Sequence, residues 1–295
     1  MIKKIAFSSP WGIDSGALLK GMLRHTPNND GIWEDLVGTP DIYDADWIVA
    51  SEDLDPRLDM SRIDPNKVIL CGREPPWIAN PNWDRHSTPY KFKHTMGNSY
   101  LLGGWSFPIS YRDMEELQRK PRNKKVCVIT SNKRICPGHH QRLEFVKKFC
   151  RQYPGVLDIY GSGMYAEGLG SHYKGVSTFG DAKKLEWLLQ YDYALCLENG
   201  RLNGYFSEKL TDAFMAHTVP IYWGAPDVHK YFPDASFYSL DIVDPAAIRK
   251  LKEILSNPVS SQVADAVSES RQRIMTKYNW WPTIKRIIDT GRVLP

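Results

Sequence analysis

The sequence predicts an α/β protein of parallel strands joined by helical crossovers, and three observations predict it. Short apolar runs alternate along the chain with stretches whose apolar residues recur at helical spacing. Several of those runs are apolar almost throughout, as strands covered on both faces are. The chain has 295 residues, enough for two domains with a core each. Its most polar run, Asp113 to Lys125, broken by Pro121, falls where a linker between two domains would lie.

Lys4 to Ser8 reads as the first strand and Ser15 to Arg24, with Ala17, Leu18, Met22 and Leu23, as the helix after it. Asp46 to Ser51 and Lys67 to Cys71 read as further strands. From Gly72 to Tyr100 the pattern gives way to Pro, Asn, aromatic and charged residues, and a long irregular segment directly after a strand reads as a functional loop. Val126 to Ser131 restarts the alternation. Gln141 to Tyr153 is helical, with Leu143, Val146, Phe149 and Cys150 on one face, and Val156 to Tyr160 is a strand closed by Gly161-Ser162-Gly163. The helix Ala182 to Gln190 leads into a strand carrying Tyr193, Leu195 and Leu197, which ends at Glu198-Asn199-Gly200. Ser207 is placed to cap the next helix, whose buried face holds Leu210, Ala213, Phe214 and His217, and Thr218 to Trp223 is the strand after it. A strand in Ser236 to Leu240 and helices over Pro245 to Ser256, Ser260 to Lys277 and Pro282 to Thr290 complete the chain. The last two helices flank Tyr278-Asn279-Trp280-Trp281.

Aromatic residues are 12% of the chain, charged residues 24%, and the net charge is +4. That is an ordinary globular composition; the mild positive charge does not indicate a nucleic-acid binder and suits an anionic small molecule. The five cysteines form no CxxC pair and read as reduced and structural. The apolar run at the N-terminus is too short for a signal peptide, and no stretch approaches the length of a membrane span. These features lead us to expect a soluble, cytoplasmic enzyme or the soluble catalytic part of a larger one.

The stretch from Tyr191 to Gly224 carries the chemistry. In a βαβ unit the loop leaving the first strand and the N-terminus of the helix lie at the carboxyl edge of the sheet, where backbone N–H groups and the helix dipole favour a phosphate. Glu208 and Lys209 stand there. A lysine in a first helical turn opposes the dipole, which a nearby anion would explain; a solvated lysine is the alternative. Metal ligation has little to stand on. Asp53-Leu54-Asp55, before Pro56, reads as a solvated turn, and no His/Cys cluster has ligand spacing.

The block NGYFSEKLTDAF, followed by VPIYWGAPDV and FPDASF, resembles the donor-binding signature of the α-1,3/4-fucosyltransferases, glycosyltransferase family ten. Tyr205, Ser207, Glu208 and Lys209 stand at that family's Tyr-x-Ser/Thr-Glu-Lys. The likeness runs from about Val126 to Phe237 and more faintly upstream to Glu74. It implies a GT-B fold of two Rossmann-like domains facing a cleft: 1–118 on the acceptor side, 126–280 binding the nucleotide-sugar donor, and a C-terminal helix over 281–295 that can pack back on the first. It also implies an inverting transfer of L-fucose from GDP-fucose to a hydroxyl of an oligosaccharide or glycoconjugate acceptor, typically α-1,3 to N-acetylglucosamine or glucose; the lack of a metal-ligating pattern leads us to expect no cofactor and no essential metal.

By the same resemblance Lys209 holds the β-phosphate, Glu208 meets the sugar and ribose, and Tyr205 stacks on or hydrogen-bonds the nucleotide. A plain contact with the helix dipole is the other reading of Glu208. Glu198, Asn199 and Ser207 fall within the donor-binding set, as do Tyr160-Gly161 and, as a stand-in cation for the phosphates, Lys174. Ser131-Asn132 followed by Arg142 is similar to the family's Ser-Asn…Arg, but KRICPGHHQ lengthens the spacing and leaves Lys133 or Arg134 as substitutes. Glu74, in Gly-Arg-Glu-Pro-Pro, is similar to a glutamate across the cleft that can act as general base; pairing with Arg73 or Arg85 is the alternative, and His86 and His94 are rival bases. Two other functions stay open: a GT-B transferase for a different nucleotide sugar, and a non-catalytic glycan-binding protein, against which the Glu208-Lys209 pair counts.

Overall fold

The computed structural model describes residues 1–71, 104–176 and 182–292, together with the backbone of 92–94. Glu74, Arg73, Arg85 and His86 lie outside the described residues, as does the side chain of His94. The chain divides into two compact units, one of Met1–Gly104, Ile109–Leu117 and Met275–Pro295, the other of Trp105–Pro108 and Gln118–Ile274. The division at 117/118 falls within the polar run Asp113 to Lys125, whereas the division at 274/275 and the second unit's excursion over 105–108 are marked by no break in hydropathy.

In the first unit, β1 (Lys3–Ser8), β2 (Ile32–Trp33), β3 (Leu36–Gly38), β4 (Trp47–Ser51), β5 (Val68–Cys71) and β6 (Phe92–His94) form a sheet in the order β2-β3-β1-β4-β5-β6. All pairings are parallel except the short β2/β3 hairpin. Side chains alternate across the strands. Ile5, Phe7, Val49, Ile69 and Cys71 face one side, against Leu19 of α1 (Ser15–Leu23) and Trp280, Trp281, Ile284 and Ile287 of α8 (Trp280–Thr290). Ala6, Ile48, Ala50, Val68 and Leu70 face the other, against Ile42, Leu54 and Ile63. The buried Trp281 indole donates to the Met22 carbonyl at 3.0 Å, so its one polar atom is satisfied where it packs. Part of the expected linker is helical: Ser110 caps α2 (Tyr111–Glu116), and Tyr111 and Met114, one turn apart, are buried.

The second unit holds β7 (Lys124–Ile129), α3 (Pro137–Gln152), β8 (Leu157–Tyr160), β9 (Tyr173–Gly175), α4 (Ala182–Leu188), β10 (Tyr191–Leu197), α5 (Glu208–Met215), β11 (Val219–Trp223), β12 (Tyr238–Ser239), α6 (Ala247–Leu255) and α7 (Ser261–Arg273). Its sheet runs β12-β11-β10-β7-β8-β9, every pairing parallel. Read from β9 to β12 this is third, second, first, fourth, fifth, sixth, the Rossmann order, and the order reverses between β7 and β10. Two helix boundaries differ from expectation. α3 starts at Pro137, because proline fits the first helical position, where no N–H is needed. α5 ends at Met215, and His217 takes a left-handed φ of 55°, so it terminates the helix rather than joining its buried face. Among the described residues no helix is long and apolar enough to cross a membrane. The five cysteines are free and buried.

Candidate active site

The order reversal places the loops after β7 and β10 side by side at the carboxyl edge of the second unit's sheet, the position where open α/β sheets hold ligands. One side chain spans them. Arg142, on α3 and 2% exposed, donates from Nη1 to Asn199 Oδ1 at 2.6 Å and from Nη2 to Ser131 Oγ at 3.1 Å. Among the described residues its buried Nε meets no partner. Burial pulls its pKa below the ordinary arginine value while the charge of Glu198 raises it, and the guanidinium remains a cation. Because α3 starts early, much of KRICPGHHQ is its first turn, and the added length does not keep Arg142 from Ser131. Arg134 is committed elsewhere, to Glu167 at 2.6 Å and to the Asn132 carbonyl at 3.0 Å.

The second cation sits on α5. Ser207 is its N-cap and accepts from the Lys209 N–H at 3.2 Å and from Lys209 Nζ at 3.1 Å. Glu198, fully buried, accepts from the Ser207 N–H and the Ser207 hydroxyl, each at 2.7 Å. Lys209 Nζ lies 3.5 Å from Glu198 Oε2 and 3.6 Å from Glu208 Oε1. Burial, with the charge of Glu208, holds the Glu198 pKa above the ordinary carboxylate value, and Lys209 and the two Ser207 donors offset only part of that rise. Ser131, Asn132, Asn199, Glu208 and Lys209 are half-buried and reachable. A helix N-terminus and two cations lie at one sheet edge, an arrangement that can hold a diphosphate.

Five expectations meet a different setting in the structure. Glu198 is fully buried and serves Ser207 and Lys209, with no surface for a donor. Tyr205 is also fully buried, so its ring is a packing residue here and is not open for stacking. Tyr160, 3% exposed, stacks on Trp187 with ring centroids 4.2 Å apart and shares a 2.9 Å hydrogen bond with the Tyr191 hydroxyl. Lys174 pairs with Asp158 at 3.4 Å, beside that tyrosine pair. The Asp53-Leu54-Asp55 turn is not simply solvated either. Asp55 is 7% exposed and bound by Arg57 at 2.5 Å, whose guanidinium holds its carboxyl down to about 2. Among the described residues no group of three or more His, Cys, Asp or Glu is arranged to hold a metal.

The first turn of α3 was missed. Cys136 Sγ lies 2.9 Å from His139 Nδ1 and donates to the Asn199 carbonyl at 3.2 Å. A Cβ on Gly138 would stand 2.1 Å from that same carbonyl, so only glycine lets the helix approach so closely. Burial, with the charges of Arg142 and Lys209, lowers the His139 pKa to about 4. Pro137, a helix-start signal, was the clue.

The family model "Glycosyltransferase family 10 (fucosyltransferase) C-term" matches residues 119–285. Over 57 residues the chain is 49% identical to alpha-(1,3)-fucosyltransferase FucT of Helicobacter pylori, covering 19% of this chain and 12% of that protein. Over 78 residues it is 32% identical to GDP-fucose protein O-fucosyltransferase 3 of Danio rerio, covering 26% and 17%. The matched segments thus span less than a fifth of either relative's length. Among solved structures, an alpha1,3-fucosyltransferase superposes with a TM-score of 0.51 at 17% identity, covering 99% of this chain and 91% of that one. An alpha-glucosyltransferase in complex with UDP and DNA superposes at 0.56 with 11% identity, covering 98% of each chain. These relatives are GT-B glycosyltransferases, and at such identities the likeness shows a shared fold. With more than half of its length matched by the family model, the chain belongs to glycosyltransferase family 10, the fucosyltransferase family.

Proposed function

We propose that this chain transfers L-fucose from GDP-fucose to a hydroxyl of an oligosaccharide or glycoconjugate acceptor, with inversion, forming an α-1,3 linkage to N-acetylglucosamine or glucose. The observation that carries the reading is the cationic edge of the second unit, where Arg142 spans the loops after β7 and β10 and Lys209 stands in the first turn of α5. As the glycosidic bond to the diphosphate breaks, negative charge collects on the leaving group, and preorganised cations lower the energy of that state more than that of the bound donor. Glu208, half-exposed beside Lys209, offers a carboxylate to sugar or ribose hydroxyls. The names of the relatives support the fucosyl donor, and the more identical of the two supports the α-1,3 linkage. In this reading no metal is needed, the two cations doing its work, and Glu74 is the general base on the acceptor hydroxyl.

The test is turnover of GDP-fucose, GDP-mannose, UDP-glucose and UDP-N-acetylglucosamine with an N-acetyllactosamine acceptor, with and without EDTA. GDP-fucose alone should be consumed, at a rate that EDTA leaves unchanged. Preference for another donor points to a different sugar, and absence of both turnover and GDP binding points to a glycan-binding protein. A requirement for Mn²⁺ would refute the metal-free mechanism. Glu74→Gln should keep GDP affinity while turnover falls by about 10² to 10⁴-fold, since a base acts only on the acceptor. Turnover within a fewfold of wild type places the base elsewhere, with His86 and His94 next to be tested.

A further inference from the structure

We propose that Glu198 is a positioning residue of the donor site: by accepting both donors of Ser207 it orients that hydroxyl, and through it fixes where the Lys209 ammonium stands to meet a nucleoside diphosphate. The inference rests on the reading of the site given above. Ser207 Oγ has three polar neighbours: Glu198 Oε2 at 2.7 Å, the Lys209 N–H at 3.2 Å and Lys209 Nζ at 3.1 Å. Both lysine groups can only donate, so they occupy the two lone pairs of the hydroxyl, and its single proton must go to Glu198. An ionised carboxylate only accepts, and its other oxygen takes the Ser207 N–H at 2.7 Å. The arrangement therefore has one proton order, and it leaves the ammonium against Ser207 and 3.5 Å from Glu198.

Glutamine cannot reproduce it. With its carbonyl oxygen toward the Ser207 N–H, its NH₂ becomes a third donor on the hydroxyl and displaces Lys209; flipped, the NH₂ meets the backbone N–H, donor against donor. Glu198 is itself held in place. Its N–H donates to the Trp223 carbonyl at 2.9 Å, and a Cβ on Gly224 would come within 2.6 Å of its Cγ. The body of α5 has a separate anchor. Asp212, fully buried, accepts from the Ser106 N–H at 2.8 Å and from Lys184 Nζ at 2.6 Å, so losing the Glu198 carboxylate disturbs Ser207 and Lys209 without releasing the helix.

Calorimetric GDP affinities of wild type, Glu198→Gln, Lys209→Ala and the double variant test this, with melting temperatures measured alongside. We expect Glu198→Gln to weaken GDP binding about tenfold, yet to change it less than about twofold in the Lys209→Ala background, since coupled groups do not add. Ser207→Thr, which keeps the hydroxyl, should bind GDP within a fewfold of wild type, and Ser207→Ala should weaken it as Glu198→Gln does. Unchanged affinity in a folded Glu198→Gln, or equal losses in both lysine backgrounds, would overturn the proposal. Should Glu198→Gln not fold, equal GDP affinity in Ser207→Ala and Ser207→Thr overturns it. A wild type that binds no GDP overturns the donor-site reading and this inference with it; a wild type that binds GDP with additive losses overturns this inference alone.

Discussion

At the residue scale, burial decides which side chains of the family signature are open to a ligand. Glu208 and Lys209 were legible in the sequence because they follow a helix cap directly, and a first-turn position is a local property. Glu198, Tyr205 and Tyr160 were not, because each lies under neighbours distant in sequence, which no local pattern reports. His139 gives this scale its test. A histidine titrates near 6.5 in the unfolded chain and at about 4 in this fold, chiefly because the ring is buried. Between those values the unfolded state binds a proton that the native state refuses, so the contribution of His139 to stability is full above 6.5 and is lost as pH falls toward 4. His139→Gln should therefore lose less melting temperature than wild type between about pH 7 and about pH 4.5. Equal losses in the two proteins would show that His139 is not held neutral by the fold.

At the scale of elements, the alternation of apolar runs marks the long strands, while β2, β3, β6 and β9 have only two or three residues and leave no period to read. The start of α3 was misplaced because its first turn, Pro137-Gly138-His139-His140, is poor in helix-favouring residues; the turn is held by its contact with Asn199 instead. Close approach also governs the loop after β8. Gly161 has a φ of 133°, and a Cβ there would stand 1.6 Å from the Thr130 carbonyl oxygen. Gly155 has a φ of 77°, and among the described residues no atom beyond its chain neighbours lies within 4 Å of where its Cβ would stand. Gly155→Ala should cost about 1 kcal/mol, the strain of a left-handed alanine. Gly161→Ala must also move backbone and should cost more than about 3 kcal/mol, with loss of GDP affinity as the Ser131-Asn132 loop shifts. Comparable melting temperatures for the two variants would contradict the close approach of β7 and β8 at this point.

At the scale of the whole molecule, the parallel α/β class was legible, and so was the sheet edge at which the candidate residues gather, because strand-helix alternation forces both. The division into units was less so. The chain enters the second unit briefly at Trp105–Pro108 and returns to the first at Met275, through a helical turn at Ile274–Tyr278 wider than an α-helix. Those crossings are set by tertiary contacts such as Ser106 with Asp212 and Trp281 with Met22, which join residues far apart in sequence. The central claim is that the β7/β10 reversal holds a nucleoside diphosphate between Arg142 and Lys209. Calorimetric titration of GDP into wild type and Lys209→Ala tests it most directly. We expect wild type to bind GDP and folded Lys209→Ala to bind it tens to about a thousandfold more weakly, as loss of a charge-assisted contact requires, with a lowered melting temperature because the buried Glu198 carboxylate loses its cation. No heat with wild type, or equal affinity in the two proteins, would contradict the account.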